Sequence, residues 1–320
     1  MRATARAQPN IALIKYWGKR DTRRNLPVVG SISVTLADLK TTMCVEFDDA
    51  LSGDVLIVNE RESTTMLPRI KRCLDSVVGK QRKSARVSSH SNFPIAAGLA
   101  SSASAFAALV IAADAAAGQG MDTAQLASLA GRASGSAARS LYGGYVELDN
   151  SGDDISVRCL RPADEWPLKV VIAITASGPK PVGSTEAMEI CRKTSPFYER
   201  WVEQQAEDLA DARAAIGERD FVGLASIAEH NCLKMHSVMW ASRPPISYWN
   251  SATLGCMQAV RKLQSQGVAV FFTIDAGPQV KAVCEPAVEA RVRDAMAATD
   301  GVEDILISGL GTGAARIADG

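Results

Sequence analysis

Between Arg86 and Ala117 the sequence passes from an alternating strand pattern, through the turn Pro94-Ile-Ala-Ala-Gly98-Leu-Ala-Ser101-Ser102-Ala103, into an alanine-rich segment of strong helix propensity. A strand that feeds a long helix through a glycine and serine turn points to a fold that mixes sheet and helix. The same turn presents free backbone N–H groups and the positive end of the helix dipole to an anion, and its two hydroxyls can add hydrogen bonds or reach a phosphate-bound Mg²⁺. It lacks the G-x-x-x-x-G-K-[ST] pattern of a P-loop. Read alone, it fits an ordinary serine cap on an amphipathic helix equally well.

The rest of the chain divides into two regions of different character. Up to Thr175 it is strand-rich, with β patterns at Ile11–Lys15, Ser31–Leu36, Thr41–Phe47, Val55–Val58, Gly144–Leu148, Ile155–Cys159 and Lys169–Thr175, and with helices at Met66–Val78 and, after an Asp cap, Asp122–Ala133. After Gly178-Pro179-Lys180-Pro181 long helical patterns dominate, at Ser184–Lys193, Phe197–Ile216, Phe221–Met239, Tyr248–Gln266 and Pro286–Ala298, with strands at Val268–Ile274 and Asp304–Ser308. The proline and glycine cluster is the expected boundary between two domains, and 320 residues suffice for two cores.

Composition excludes several functions. The 35 basic residues cancel the 35 acidic ones, so no global field draws the chain to nucleic acid or anionic lipid, and an anionic ligand must be met by a local site. Seven scattered cysteines without a C-x-x-C pair argue against a disulfide framework or a zinc ribbon and fit a reducing cytoplasm. The most apolar stretch, Ala103–Ala113, is too short to span a bilayer. The first residues reach charged side chains before any signal-type segment, so neither export nor a membrane anchor is expected.

Three further segments can carry chemistry. In Asn10-Ile-Ala-Leu-Ile-Lys-Tyr16-Trp-Gly18-Lys19-Arg-Asp21, Lys19 and Tyr16 offer a cation and a hydroxyl to an anion while Gly18 lets the backbone approach closely. The alternative is an edge strand ending in solvated charges. Ser134-Gly-Ser136-Ala-Ala-Arg139-Ser140 is a small-residue turn whose arginine fork suits a carboxylate or phosphate. Val268-Ala-Val-Phe-Phe-Thr-Ile-Asp275-Ala-Gly-Pro278 delivers one carboxylate from an apolar strand into a turn, where catalytic groups tend to sit, although an Asp also simply starts turns. His90, His230 and His236 read as satisfied structural histidines, since His230 and His236 lack the i,i+4 spacing of metal ligands. Gly309-Leu-Gly311-Thr-Gly313-Ala314 matches G-x-G-x-x-[GA] but has only six residues after it, too few for a crossover, and reads as a flexible end. No G-x-S-x-G elbow is present.

Taken together, Asn10–Asp21, Asn25-Leu-Pro27, Ser31–Leu36, Asn92–Ala103, Ser134–Gly144 and Phe272–Pro278 resemble, in order, the motifs of the mevalonate diphosphate decarboxylase family, a branch of the GHMP small-molecule kinases. The resemblance implies an α+β, GHMP kinase-like two-part fold. Residues 1–180 would form an N-terminal ATP- and substrate-binding module with a left-handed βαβ crossover, and residues 181–320 a C-terminal α+β part with a ferredoxin-like layer, the cleft lying between them.

The activity implied is ATP- and Mg²⁺-dependent decarboxylation of mevalonate 5-diphosphate to isopentenyl diphosphate. By resemblance, Asp275 orients the 3-hydroxyl or accepts its proton, Arg139 holds the substrate carboxylate, and Tyr16 and Lys19 hold the diphosphate, with Asp275, Arg139 and Lys19 as the catalytic set. Ser134, Ser136, Lys180 and Ser184 would complete the substrate site. Gly98, Ala100, Ser101, Ser102 and Ala103 would hold ATP, with Ser101 and Ser102 near the metal. The resemblance also implies a cytoplasmic homodimer with a phosphorylated small-molecule substrate and no nucleic-acid or membrane partner. Two departures stand out: Gly183 where the family has a second serine, and Ala138 where a cysteine is common. Close alternatives are a mevalonate 5-phosphate decarboxylase or a mevalonate 3-kinase, and a different class is a non-catalytic ligand sensor on the same fold.

Overall fold

The computed structural model describes residues 1–94, 99–178 and 180–318. A first sheet has the spatial order Ala315–Ile317, Arg2–Ala7, Thr41–Phe47, Ala85–Ser91, Val55–Val58, Arg61–Glu62. Its neighbours are antiparallel except Val55–Val58 and Ala85–Ser91, which run parallel and are joined through helix α1 (Leu67–Val78), the expected βαβ unit. Helices α2 (Ser101–Ala117) and α3 (Thr123–Ala133) pack with α1 over this sheet, and Ala3, Ala5 and Ala7 share a core with Ala107, Ala108 and Ala112 of α2. Methyl side chains on both surfaces allow helix and sheet to lie close, which explains why the longest N-terminal helix is mostly alanine. Asp122 caps α3 in a reciprocal capping box with Gln125.

The second sheet, Ser156–Arg161, Tyr145–Asp149, Ser31–Thr35 and Asn10–Ile14, is antiparallel throughout. The third has the order Val270–Ile274, Val280–Cys284, Lys169–Ile174, Asp304–Gly309 and is also antiparallel. In chain order this is 2-3-1-4, the ferredoxin-like arrangement. The helices of this half are α4 (Ser184–Thr194), α5 (Tyr198–Glu218), α6 (Phe221–Trp240), α7 (Ser251–Ser265) and α8 (Glu289–Ala297). Val170 and Ile172 face a core with α5, α6 and the second sheet, whereas Val171 and Ala173 face α7 and α8. Burial on both faces accounts for the unbroken apolar run. Lys169–Ile174 lies before the expected boundary at Gly178–Pro181, yet both its neighbours come from beyond it, so a cut at 180 would strip the third sheet of an interior strand.

Among the described residues six strands carried no clear sequence signal: Lys19–Asp21, Leu26–Pro27, Arg61–Glu62, Arg2–Ala7, Val280–Cys284 and Ala315–Ile317. The last corrects the expectation of a flexible end. Gly311 N–H donates to Thr35 O at 2.7 Å, Gly144 N–H to Gly311 O at 2.8 Å and Gly313 N–H to the Gln8 side-chain oxygen at 2.9 Å. Thr312 lies so close to Gly143 that a Cβ on that glycine would stand 2.3 Å from the Thr312 carbonyl carbon. Gly143→Ala should therefore lower stability by about 1–3 kcal/mol through overpacking, read as a reduced Tm in thermal unfolding. An unchanged Tm would show that the segment gives way freely. Among the described residues no helix is long and apolar enough to cross a membrane.

Candidate active site

A cleft of about 880 Å³ opens where the second sheet, the third sheet and the start of α2 converge. Among the described residues its wall carries nine cationic side chains, Lys15, Lys19, Arg23, Arg24, Arg69, Arg72, Arg132, Arg139 and Lys180, against one carboxylate, Asp275. In a chain of zero net charge this is the local anion site that the composition required. The N-terminal ends of α2 and α4 add their positive dipole ends through Ala100, Ser102, Ser184 and Thr185.

Asp275 follows the buried strand Val270–Ile274 and is a quarter exposed, into the cleft. Lys15 Nζ donates to its Oδ1 at 2.7 Å, and Lys281 Nζ lies 3.4 Å from Oδ2. Burial by itself would raise the carboxyl, but these two ammonium groups more than offset it and hold Asp275 well below the usual carboxylate range. It is a fixed anion and a weak base. Lys15 is itself pinned: its N–H donates to Asn231 Oδ1 at 2.7 Å, and its carbonyl accepts from Gln205 Nε2 at 2.8 Å, so α5 and α6 turn the strand end inward.

Arg139 sits in the 3₁₀ turn Ala137–Leu141 and is 2% exposed. Its Nε donates to Ser33 Oγ at 2.9 Å, Nη1 to Ser31 Oγ at 2.6 Å and Nη2 to Asn10 Oδ1 at 3.2 Å. Ser31 and Ser33 are two apart on one strand and therefore share the face turned to this guanidinium. Asn10 in turn donates to Ser136 O and Ser140 Oγ. Burial pulls Arg139 down to about 10, with Asp275 and Tyr16 acting the other way, so it remains a cation at neutral pH. Its hydrogen-bond partners are neutral oxygens, and a buried cation held by neutral groups awaits an anion.

Tyr16 Oη is buried without a hydrogen-bond partner among the described residues, and burial raises its phenol. It lies where a Cβ on Gly135 would be 2.6 Å away, so that glycine makes room for the ring. Lys19 Nζ donates to Thr185 Oγ1 at 3.1 Å and is lowered first by burial, then by Arg69. Lys180 Nζ donates to Ser184 Oγ at 2.6 Å and to Ala276 O at 2.9 Å, beside Asp275. Ser134 and Ser136 line the same wall, and Ser134 Oγ is 3.3 Å from Ser102 Oγ.

Asp275, Arg139, Lys19, Tyr16, Ser134, Ser136, Lys180 and Ser184 therefore all meet at one cleft. The phosphate turn is less uniform. Ala100 and Ser102 line the cleft, whereas Ser101 does not, and Ala103 turns its methyl into the core and donates its N–H to Ala100 O at 2.8 Å. Gly98 lies outside the described residues. Gly183 caps α4, and a Cβ placed on it would meet nothing within 4 Å among the described residues, so the site imposes no glycine there. Sequence reasoning missed Lys15, Lys281 and Asn10; the available signal was a lysine closing or interrupting an apolar run. It also took His236 as fully satisfied. Its Nε2 donates to Ile274 O at 3.2 Å, but Nδ1 has no partner among the described residues, and burial drops its pKa to about 3, so the ring stays neutral.

A ferredoxin-like layer set against a βαβ module, with a polyanion cleft between them, is the architecture of a GHMP kinase-like protein. Two family models divide the chain: the diphosphomevalonate decarboxylase-like N-terminal domain matches residues 7–159, and the mevalonate 5-diphosphate decarboxylase C-terminal domain matches residues 170–302. The chain is similar to human diphosphomevalonate decarboxylase, 35% identical over 305 residues, covering 86% of this chain and 74% of the human one. Among solved structures it resembles mevalonate diphosphate decarboxylase from Staphylococcus aureus (35% identity, TM-score 0.93, 99% and 98% of the two chains). It also resembles the enzyme from Enterococcus faecalis (32%, TM-score 0.91, 100% and 99%). The chain belongs to the diphosphomevalonate decarboxylase family.

Proposed function

We propose that the protein decarboxylates mevalonate 5-diphosphate with ATP and Mg²⁺, giving isopentenyl diphosphate, phosphate, ADP and CO₂. The observation that carries this reading is Arg139, a buried cation held by neutral oxygens, facing the same cleft as an ionised Asp275. Family membership supports it, as does a solved relative, 32% identical, in complex with MVAPP, AMPPCP and magnesium.

Arg139 receives the substrate carboxylate, and Tyr16 and Lys19, with Ser134 and Ser136, receive the diphosphate. Ser102 and the α2 N-terminus, with Ser101 beside it, take the nucleotide phosphates, and Lys180 with Ser184 stands near the group in transfer. The donor set fits Mg²⁺ as a hard cation brought in with a nucleotide: the Ser102 hydroxyl lines the cleft beside the α2 N-terminus, and it, with the neighbouring Ser101, would form the protein side of the site. When bound, the metal neutralises charge on the β- and γ-phosphates. Asp275 accepts a hydrogen bond from the 3-hydroxyl and fixes its direction. In a loose phosphoryl transfer the nucleophile's proton leaves late, so an orienting carboxylate serves better here than a strong base. The 3-phosphate then departs as CO₂ is lost. In this reading the two modules divide ahead of Lys169 rather than at 180, and the protein works in the cytoplasm as a homodimer, which sedimentation of the purified chain tests.

The deciding experiment supplies ATP and Mg²⁺ with mevalonate, its 5-phosphate or its 5-diphosphate and scores ADP and CO₂ together. The 5-diphosphate should be preferred by more than about tenfold in kcat/KM, because a second phosphate meets cations already in place. Equal or better use of the monophosphate would assign the chain to the shorter substrate, and ADP without CO₂ would make it a kinase.

A further inference from the structure

Val280–Cys284 is buried at every position, yet its second residue is a lysine. Lys281 is fully buried, and its ammonium lies 3.4 Å from Asp275 Oδ2, on the opposite oxygen from the one Lys15 holds at 2.7 Å. The two lysines come from different sheets: Lys15 leaves the strand Asn10–Ile14 of the second, whereas Lys281 is part of the third. A single ammonium would neutralise the carboxylate. A second, fully desolvated one adds a charge that is costly to bury and that a methionine or leucine of similar volume would avoid. The carboxylate it faces is one group that offsets that cost, and the geometry ties the ammonium to a particular oxygen of it.

We propose that Lys281 is a positioning residue for the reaction, fixing the rotation of the Asp275 carboxylate by holding Oδ2 while Lys15 holds Oδ1. This rests on the reading that Asp275 orients the reacting hydroxyl. With each oxygen anchored, the remaining lone pairs point into the cleft in one direction, and the group stays ionised when a polyanionic substrate closes over it. Other groups face Asp275 as well: Arg139 from its 3₁₀ turn, Lys180 from the loop before α4, and Cys232 and His236 from α6. His236 is neutral and, like Cys232, bonds the Ile274 backbone. Arg139 and Lys180 bond to other oxygens, so Lys15 and Lys281 are the two cations at ion-pair distance among the described residues.

The test is Lys281→Met in the full chain, compared with wild type. Loss of the second cation should reduce kcat by about tenfold or more, leave KM for both substrates within about twofold, and move the acid limb of the kcat profile upward by about one pH unit as Asp275 becomes easier to protonate. A purely structural role would lower Tm and active fraction without moving that limb. A folded Lys281→Met protein with wild-type kcat and an unmoved acid limb overturns the proposal. Should the variant not fold, ¹³C NMR of the Asp275 carboxyl in Lys15→Met protein decides: titration below the ordinary aspartate range supports a second cation, and titration within it overturns the proposal. The NMR reading needs no turnover, so a failure of the functional assignment remains distinguishable from a failure of this one.

Discussion

Asp275→Asn should lower kcat by about a thousandfold, roughly 4 kcal/mol in the barrier, while KM for the 5-diphosphate changes less than about threefold. In the proposed reaction the carboxylate meets the reacting hydroxyl and not the phosphates, so its loss should fall on the transition state. The substitution also leaves Lys15 and Lys281 facing an amide. Removing one partner from a buried charged cluster costs about 3–5 kcal/mol in general. That cost should show as a depressed Tm at neutral pH that partly recovers in alkaline buffer. The sign follows from Lys281, whose affinity for its proton is lowered by burial even with Asp275 present and falls further without it. Deprotonation at high pH removes the uncompensated charge. Wild-type kcat in folded Asp275→Asn protein would remove this residue from the reaction, and a Tm deficit that grows with pH would contradict the two-lysine arrangement.

Arg139→Lys should reduce kcat by more than about tenfold, or 1.4 kcal/mol, with ADP and CO₂ falling together. Arginine meets Ser33, Ser31 and Asn10 with three separate nitrogens. Lysine keeps the charge but has one nitrogen, so at least one of these buried oxygens loses its donor and the fork toward the substrate carboxylate is gone. Parallel loss of both products places the damage in alignment for phosphoryl transfer. ADP release without CO₂ would move Arg139 to the later bond-breaking step, and wild-type release of both would end its proposed role.

The contrast between Asp275 and Lys15 shows what a sequence can disclose about such a site. An aspartate that ends the apolar run Val268–Ile274 in a glycine and proline turn is conspicuous because its surroundings are local. Lys15 also ends an apolar run, but a lysine there reads equally as the solvated end of an edge strand. What turns it inward is Gln205 on α5 and Asn231 on α6, each far away in sequence. Lys281 is hidden for the same reason: Val-Lys-Ala-Val-Cys is too mixed to read as a strand until both neighbours are in place. Arg139 stood out through its motif, yet its seat among Ser31, Ser33 and Asn10 is a product of strand pairing. Helices with intrinsic propensity were the most legible elements, and the alanine-rich one ends at Ala117 as the sequence suggests. Edge strands whose partners lie hundreds of residues away were the least.

That last class bears on how the molecule is made. Arg2–Ala7 leaves the ribosome long before Ala315–Ile317, with which its outer edge pairs in register Thr4 with Ile317. Until synthesis reaches those residues, the first sheet has an uncovered edge, and Gln8, Thr35 and Gly144 lack their bonds to Gly313 and Gly311. Pairings between such distant parts of a chain are slow to form, and an open edge invites association with other strands meanwhile. Nascent chains arrested before Gly309 should therefore be captured by strand-binding chaperones and cut readily by protease, whereas released full-length chains escape both.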